Sequence, residues 1–224
     1  MLTRHPPWLE GGTLALALIA GSLNVVGLLA FEHQAISHLS GVASRLGEDL
    51  ATDQSHTLSL LGILVSFALG AALSGFIVGR SALRLSHNYT LVLALESLLI
   101  AGTLLAIDNQ TPISHYLAAI ACGLQNGMFT TYSGAILRTT HVTGIVTDLG
   151  LMLGRRLRGH KQDQRKARLF LIILSSFILG GYIATKLFNT HGYQALWFPL
   201  SMCLLLLVVH GSYLMIARKP LDMS

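Results

Sequence analysis

The segment Gly21-Ser22-Leu23-Asn24, followed by His38-Leu39-Ser40-Gly41, returns later in the chain as Gly123-Leu124-Gln125-Asn126 followed by His141-Val142-Thr143-Gly144. The register persists beyond those words. Leu46-Gly47 matches Leu149-Gly150, and Ser66-Phe67-Ala68-Leu69-Gly70-Ala71 matches Ser176-Phe177-Ile178-Leu179-Gly180-Gly181. A unit of sequence is present twice, and what that demands of the fold depends on the solvent around it. With 52% hydrophobic and 11% charged residues and a mean hydropathy of +0.61, the composition suits a bilayer rather than water. A membrane-spanning helix needs roughly 20 apolar residues, and runs at 12–31, 57–78, 90–107, 115–136, 169–187 and 194–217 supply them. The first run is too long for a signal-peptide core and lacks a small-x-small cleavage site, so it reads as a retained helix.

The expected fold is therefore all-α, a polytopic membrane protein of six transmembrane helices forming one membrane domain. Residues 1–110 make the first three-helix repeat and 111–224 the second. Three spans per copy force the second copy to enter the membrane from the opposite side. Inverted-topology repeats are common in secondary transporters, whose sites lie near the midplane where the repeats meet. Asn24 and Asn126 each fall about halfway along a span at 1.5 Å per residue. An amide at that depth needs partners, because an unsatisfied polar group in hydrocarbon costs several kcal/mol by order of magnitude. The stretches after spans one and four hold Gly41, Gly47, Gly144 and Gly150 with Ser, Thr and His between apolar residues. They read as broken or re-entrant segments, with His38, Ser40, Gly41, His141, Thr143 and Gly144 as paired gating elements.

The net charge of +5 is distributed by side. Arg80 and Arg84 follow span two, seven basic residues lie within 155–168 after span four, and Arg218 and Lys219 follow span six. The other side carries Arg45 and Lys186 with several acids. The positive-inside rule then puts both termini in the cytoplasm. This distribution explains the charge without nucleic acid, and leaves the basic segment a second use as a docking site for anionic lipid or a protein.

Ionisable groups within spans are functional candidates when a partner can be named. Glu96 in span three and His210 in span six lie at similar depth, which makes them candidates for sharing a coupling proton. Their competing reading is a structural hydrogen bond each. His141 and Asp148 are seven apart, one helical face after two turns, and Asp148 joins the proton-coupling candidates; its alternative is a basic partner such as Arg155. Glu32, His33, His38, Asp49, Asp53 and His56 crowd one connection, but no HxxxH or HxH pair gives them metal-ligand spacing, so neither a metal nor another cofactor is expected. Cys122 and Cys203 read as buried apolar thiols. Ala71, Gly75 and Gly79, with Phe177, Gly181 and Thr185, form small-residue stripes for helix packing within the protomer, a homo-oligomer being the lesser alternative. No nucleophile elbow, P-loop or HExxH motif is present, so an enzyme is not expected.

At Gly123-Leu124-Gln125-Asn126 and Thr139-Thr140-His141-Val142-Thr143-Gly144-Ile145-Val146-Thr147-Asp148 the sequence resembles the YoaK family, bacterial six-span membrane proteins of uncharacterised function, along nearly the whole chain. That family carries G-x-Q-N and T-T-x-x-T-G-x-x-T-D in its second repeat. Its first repeat carries G-x-x-D and then T-G-N, where this chain has Asn24 and Ser40-Gly41-Val42. The resemblance implies a fold and a bacterial inner-membrane location, and no substrate. The expectation is a transporter or permease for a small polar solute or ion, binding through Asn24, Gln125 and Asn126. The alternative is a membrane protein that transports nothing and docks a lipid or protein through its basic loop.

Overall fold

The computed structural model describes residues 8–30, 36–52, 56–79, 87–107, 112–132 and 138–217. No strand occurs among them. The helices are α1 (Trp8–Ala30), α2 (Leu39–Thr52), α3 (Thr57–Val78), α4 (His87–Ala106), α5 (Ile113–Tyr132), α6 (Val142–Leu157), α7 (Gln164–His191) and α8 (Trp197–Ala217), with a 3-10 turn, Gly192–Leu196, between the last two. Among the described residues four stretches are long and apolar enough to cross a membrane: Glu10–Ala30, Thr57–Val78, His87–Ala106 and Gln164–Ile216, the last running through α7 and α8. α5 matches their length at 20 residues but is less apolar, because Ser114, His115, Gln125, Asn126, Thr130 and Thr131 interrupt it.

These helices are wrapped in apolar surface on the outside as well as within. Leu58 is 81% and Phe76 85% exposed on α3, and Leu98, Leu105, Ile178 and Met215 also face outward. A protein in water does not display apolar side chains along whole helices in this way. Lipid removes the penalty, since acyl chains are as apolar as leucine. It also removes the hydrophobic drive for helices to associate, so close packing must hold them together.

Close packing is supplied by glycine, and the duplicated words supply the glycines to one another. A methyl group built on Gly21 of α1 would fall onto the carbonyl oxygen of Phe177 on α7, and one on Gly180 of α7 would fall onto that of Leu18. In the other pair, Gly123 of α5 lies against the Phe67 carbonyl of α3, and Gly70 against the Ile120 carbonyl of α5. Leu18 and Ile120 each precede the glycine of their own word by three residues, so the two contacts are the same contact made twice. No residue with a Cβ fits there. α1 and α7 run parallel, since Glu10 pairs with Arg168 at 2.9 Å near their starts while Val25 meets Gly181 further along. α3 and α5 are parallel too, with Tyr116 on Gly62 at one end and Ser74 on Gly127 at the other. α4 and α8 are antiparallel: Thr90 reaches His210, and Leu93 reaches Cys203. The closest packing thus joins residues before 111 to residues after it.

The expected small-residue stripe on α3 needs correction. Nothing lies within 4 Å of a Cβ built on Gly75 or Gly79. The packed face is Phe67, Gly70, Ala71 and Ser74, rotated from the expected one. Gly79 instead ends the helix with φ 60, its N–H donating to the Gly75 carbonyl, a backbone shape in which glycine is unstrained. The α7 stripe is met in part, through Phe177 and Gly181.

The stretches after the first and fourth runs form α2 and α6, continuous helices of 14 and 16 residues. Gly47 and Gly150 sit within them facing open space and break neither. α2 lies back on α3, with Val42 and Asp49 buried and the Thr57 hydroxyl donating to the Asp49 carboxylate. α6 touches α7, where Lys166 reaches Asp148 at 3.5 Å. α7 is capped by Asp163, which accepts from the backbone N–H groups of Arg165 and Lys166 at 3.0 and 3.1 Å, a helix-start geometry favoured for aspartate.

Candidate polar site in the helical interior

The two asparagines occupy matching positions in their words but different environments. Asn24 is buried on α1, and its Oδ1 accepts from the Ser37 hydroxyl at 2.8 Å and from the Ser37 N–H at 3.3 Å. It fastens the start of the segment leading into α2 to the middle of α1. Asn126 has no such anchor: its Oδ1 is buried without a hydrogen-bond partner among the described residues. Beside it, Gln125 is 1% exposed; its Nε2 donates to the Leu16 carbonyl of α1 at 2.6 Å, while its Oε1 is buried without a partner among the described residues. Gln125 is therefore the tie between α5 and α1, and one end of its amide is used. The three expected binding residues are not brought into one hydrogen-bonded cluster.

The expected gates are helix starts. The His38 ring lies over Gly41, close enough that a Cβ there would stand 2.8 Å from Nδ1, and the His141 ring lies over Gly144 at 2.7 Å. The His38 carbonyl accepts from Gly41 and Val42, and the His141 carbonyl from Ile145, which opens α2 and α6. Glycine three residues after histidine makes room for the ring on the first turn. Ser40 donates to or accepts from His38 Nε2 at 3.0 Å. Thr143 is exposed, and its carbonyl accepts from the Thr147 hydroxyl. Histidine and glycine thus serve the same structural purpose in both copies, and both rings are exposed.

Two expected ionisable pairs are absent. His210 Nδ1 bonds the Thr90 hydroxyl at 2.9 Å, and its ring meets Tyr89 edge-on at 6.4 Å. Glu96 is fully buried, its carboxyl beside the Cys203 thiol of α8 and without another partner among the described residues. Its neighbours are the thiols of Cys203 on α8 and Cys122 on α5, both within electrostatic reach. Asp148 pairs with Lys166 of α7, a partner from the next helix instead of from its own. Among the described residues no three His, Cys, Asp or Glu side chains gather as a metal site; Glu32, His33 and Asp53 lie outside them. So do Arg80, Arg84, Asp108, Arg218 and Lys219.

Several residues matter that sequence reasoning passed over. Ser22 donates from inside the first word to the Leu18 carbonyl at 2.8 Å and reaches the Gly180 carbonyl at 3.0 Å, crossing between α1 and α7. Ser37 holds Asn24, and Thr90 holds His210. Hydroxyl residues in apolar runs were the available signal, since each needs an acceptor. The profile of a family described as "Protein of unknown function (DUF1275)" matches residues 12–209. No curated protein and no solved structure matches the chain.

Proposed function

We propose that this chain, which belongs to the DUF1275 family of proteins of unknown function, is a transporter or permease for a small polar solute or ion. In this reading it is a YoaK-type protein of the bacterial inner membrane, six spans arranged as two inverted three-helix repeats with both termini in the cytoplasm. The reciprocal glycine contacts support that arrangement, because Gly21 on Phe177 and Gly123 on Phe67 are the pair a two-fold relation between the halves requires.

One observation carries the functional part. Gln125 Oε1 and Asn126 Oδ1 are buried on α5 with no partner among the described residues. Buried polar atoms in folded proteins are nearly always paired, and leaving one unpaired costs about 1–3 kcal/mol. A passing polar solute repays that cost at each binding event. Asn24, fastened to Ser37, is then a structural residue of the first copy, and the binding amides are those of the second. The helix starts at His38 and His141 are the places where α2 and α6 would hinge.

The test uses liposomes holding the full chain, with osmotic swelling measured for a panel of small polar solutes and ions. At least one should enter faster than into empty liposomes. Asn126→Leu should cut that entry at least tenfold while the protein still elutes as a folded species. Unimpaired entry with Asn126→Leu removes the asparagine from the site, and a panel with no entry removes transport.

A second reading rests on α6. Val146, Leu153 and Leu157 are exposed along one side of it, and Arg155, Arg156 and Arg158 are exposed at its end. Apolar and basic groups together on one helix suit the headgroup boundary of an anionic membrane or a protein partner. Exchanging the basic residues of 155–168 for alanine, with topology checked separately, should end function on this reading and spare solute entry on the first.

A further inference from the structure

α6 divides into three faces, and protein covers only one of them. Ile145, Leu149 and Met152 form the strip packed against the hydrophobic core, with Ile145 buried. Val146, Leu153 and Leu157 form the adjacent strip, and each is more than half exposed. Spacings of three, four and seven residues keep the side chains of each strip on one face. Thr143, Thr147 and Arg158 lie opposite the core strip, exposed and polar; Leu151 alone departs from this order. One strip on protein, one apolar strip open and one polar face are what a helix lying in a membrane interface needs.

The end of α6 and the turn after it carry charge that the protein does not neutralise. Lys166 is paired with Asp148, and Arg168 with Glu10. Arg155, Arg156, Arg158 and Lys161 are exposed and pair with no acid among the described residues. Gly159, with φ 82, turns the chain so that the His160 N–H donates to the Arg155 carbonyl, which holds the four on one tight corner before α7. Three residues after Arg168 comes Leu171, the first of the large apolar side chains that α7 turns outward. The corner thus stands where the lipid-facing surface of α7 begins, which in a bilayer is the headgroup level. Duplication did not require this. The counterpart helix α2 exposes one large apolar side chain, Leu50, and sets its single basic residue, Arg45, beside Glu48 and Asp49.

We propose that α6 and the corner after it form a binding surface for anionic phospholipid. Val146 and Leu153 sink among the acyl chains, Leu157 sits at the headgroups, and Arg155, Arg156, Arg158 and Lys161 hold the phosphates of the same leaflet. That one occupant uses both parts of the surface. A nucleic acid or a free phosphate would engage the arginines and leave the aliphatic strip in water, and an apolar peptide would leave four positive charges unanswered. A zwitterionic lipid brings a cation that offsets the attraction of its own phosphate. The inference rests on the α6 surface of the second reading and commits it to lipid, and it holds with or without transport.

The test is native mass spectrometry of the purified full chain in a neutral detergent with phosphatidylglycerol, phosphatidylcholine or glycerol 3-phosphate. Phosphatidylglycerol should be retained at least tenfold better than phosphatidylcholine, and added salt should erase the difference. Arg155→Ala, Arg156→Ala, Arg158→Ala and Lys161→Ala combined should bring phosphatidylglycerol down to the level of phosphatidylcholine. Equal retention of the two lipids by the wild-type chain, or an unchanged preference in the combined variant, overturns the proposal. So does glycerol 3-phosphate that displaces the lipid, which would make the corner a phosphate site only. The depth of α6 is read separately: a fluorophore on Leu153→Cys in phosphatidylglycerol vesicles should be quenched by brominated acyl chains and shielded from iodide. The reverse overturns the proposal and leaves the strip to a protein partner. Should the combined variant not insert, the wild-type lipid preference and the Leu153→Cys quenching decide. Loss of function in the alanine variant without any lipid preference keeps docking and removes lipid; lipid preference without loss of function keeps the lipid and removes docking as the function.

Discussion

Glycine is the residue on which the packing turns, and its positions differ sharply in what they tolerate. Gly21 and Gly123 each face a backbone carbonyl of the neighbouring helix, whereas Gly75 faces open space. A carbonyl cannot rotate aside as a side chain can, so a methyl at either site forces two helices apart. Overpacking costs about 1–3 kcal/mol when side chains can adjust; Gly21→Ala and Gly123→Ala should reach the top of that range or pass it. Gly75→Ala should leave the midpoint unchanged or raise it slightly, since helical glycine is about 1 kcal/mol worse than alanine. Thermal unfolding of the three variants in one detergent checks this, and equal midpoints would refute it. The glycine words were legible in the sequence as words. That they pack on one another was not, because a repeat reveals which residues correspond and is silent about which ones touch. Likewise Asn24 and Asn126 look equivalent in sequence, and only Ser37, just past the first run, separates the anchored amide from the unanchored one.

At the scale of helices the sequence was a good guide where apolar length decides. The runs at 57–78 and 194–217 coincide closely with Thr57–Val78 and Trp197–Ala217. It was a poorer guide past the first and fourth runs, where glycines amid polar residues suggested breaks and the chain instead continues as α2 and α6. Glycine lowers helix propensity without forbidding the helix when one face is paid for by packing, as Val42 and Asp49 do for α2. The start of α7 is the clearest local determinant. Asp163 accepts from the N–H groups of Arg165 and Lys166 there, and loss of such a cap costs about 1 kcal/mol. Asp163→Ala should therefore speed hydrogen exchange at the Arg165 and Lys166 amides while exchange at Ile173, buried in the middle of α7, stays slow. Unchanged exchange at all three would show the cap to be idle. The nearby Arg168 and Glu10 pair is partly exposed, and such pairs are worth little.

For the whole molecule, the arrangement proposed here puts α2 and α6 on opposite sides of the membrane, and the chain offers a direct measurement. Leu50 is 66% and Leu157 80% exposed, while both native cysteines are buried and should stay silent. A thiol reagent that cannot cross membranes should label Leu50→Cys in intact cells and should label Leu157→Cys only after the cells are opened. Labelling of both from outside would end the inverted arrangement. The repeated words and the odd number of spans lead from the sequence to that proposed arrangement; the pairing of α1 with α7 and α3 with α5 is not legible there, since lipid-facing and protein-facing leucines look alike in a chain surrounded by hydrocarbon. That pairing also bears on how the protein is made. Ser22 must wait for a carbonyl 158 residues further along, and at translation rates of about 5–20 residues per second the wait is roughly eight to thirty seconds. Through that interval α1 stands in the bilayer with its glycine face bare. A chain cut short before α7 thus keeps the Gly21 face of α1 uncovered and lacks the tightest packing of its first helix.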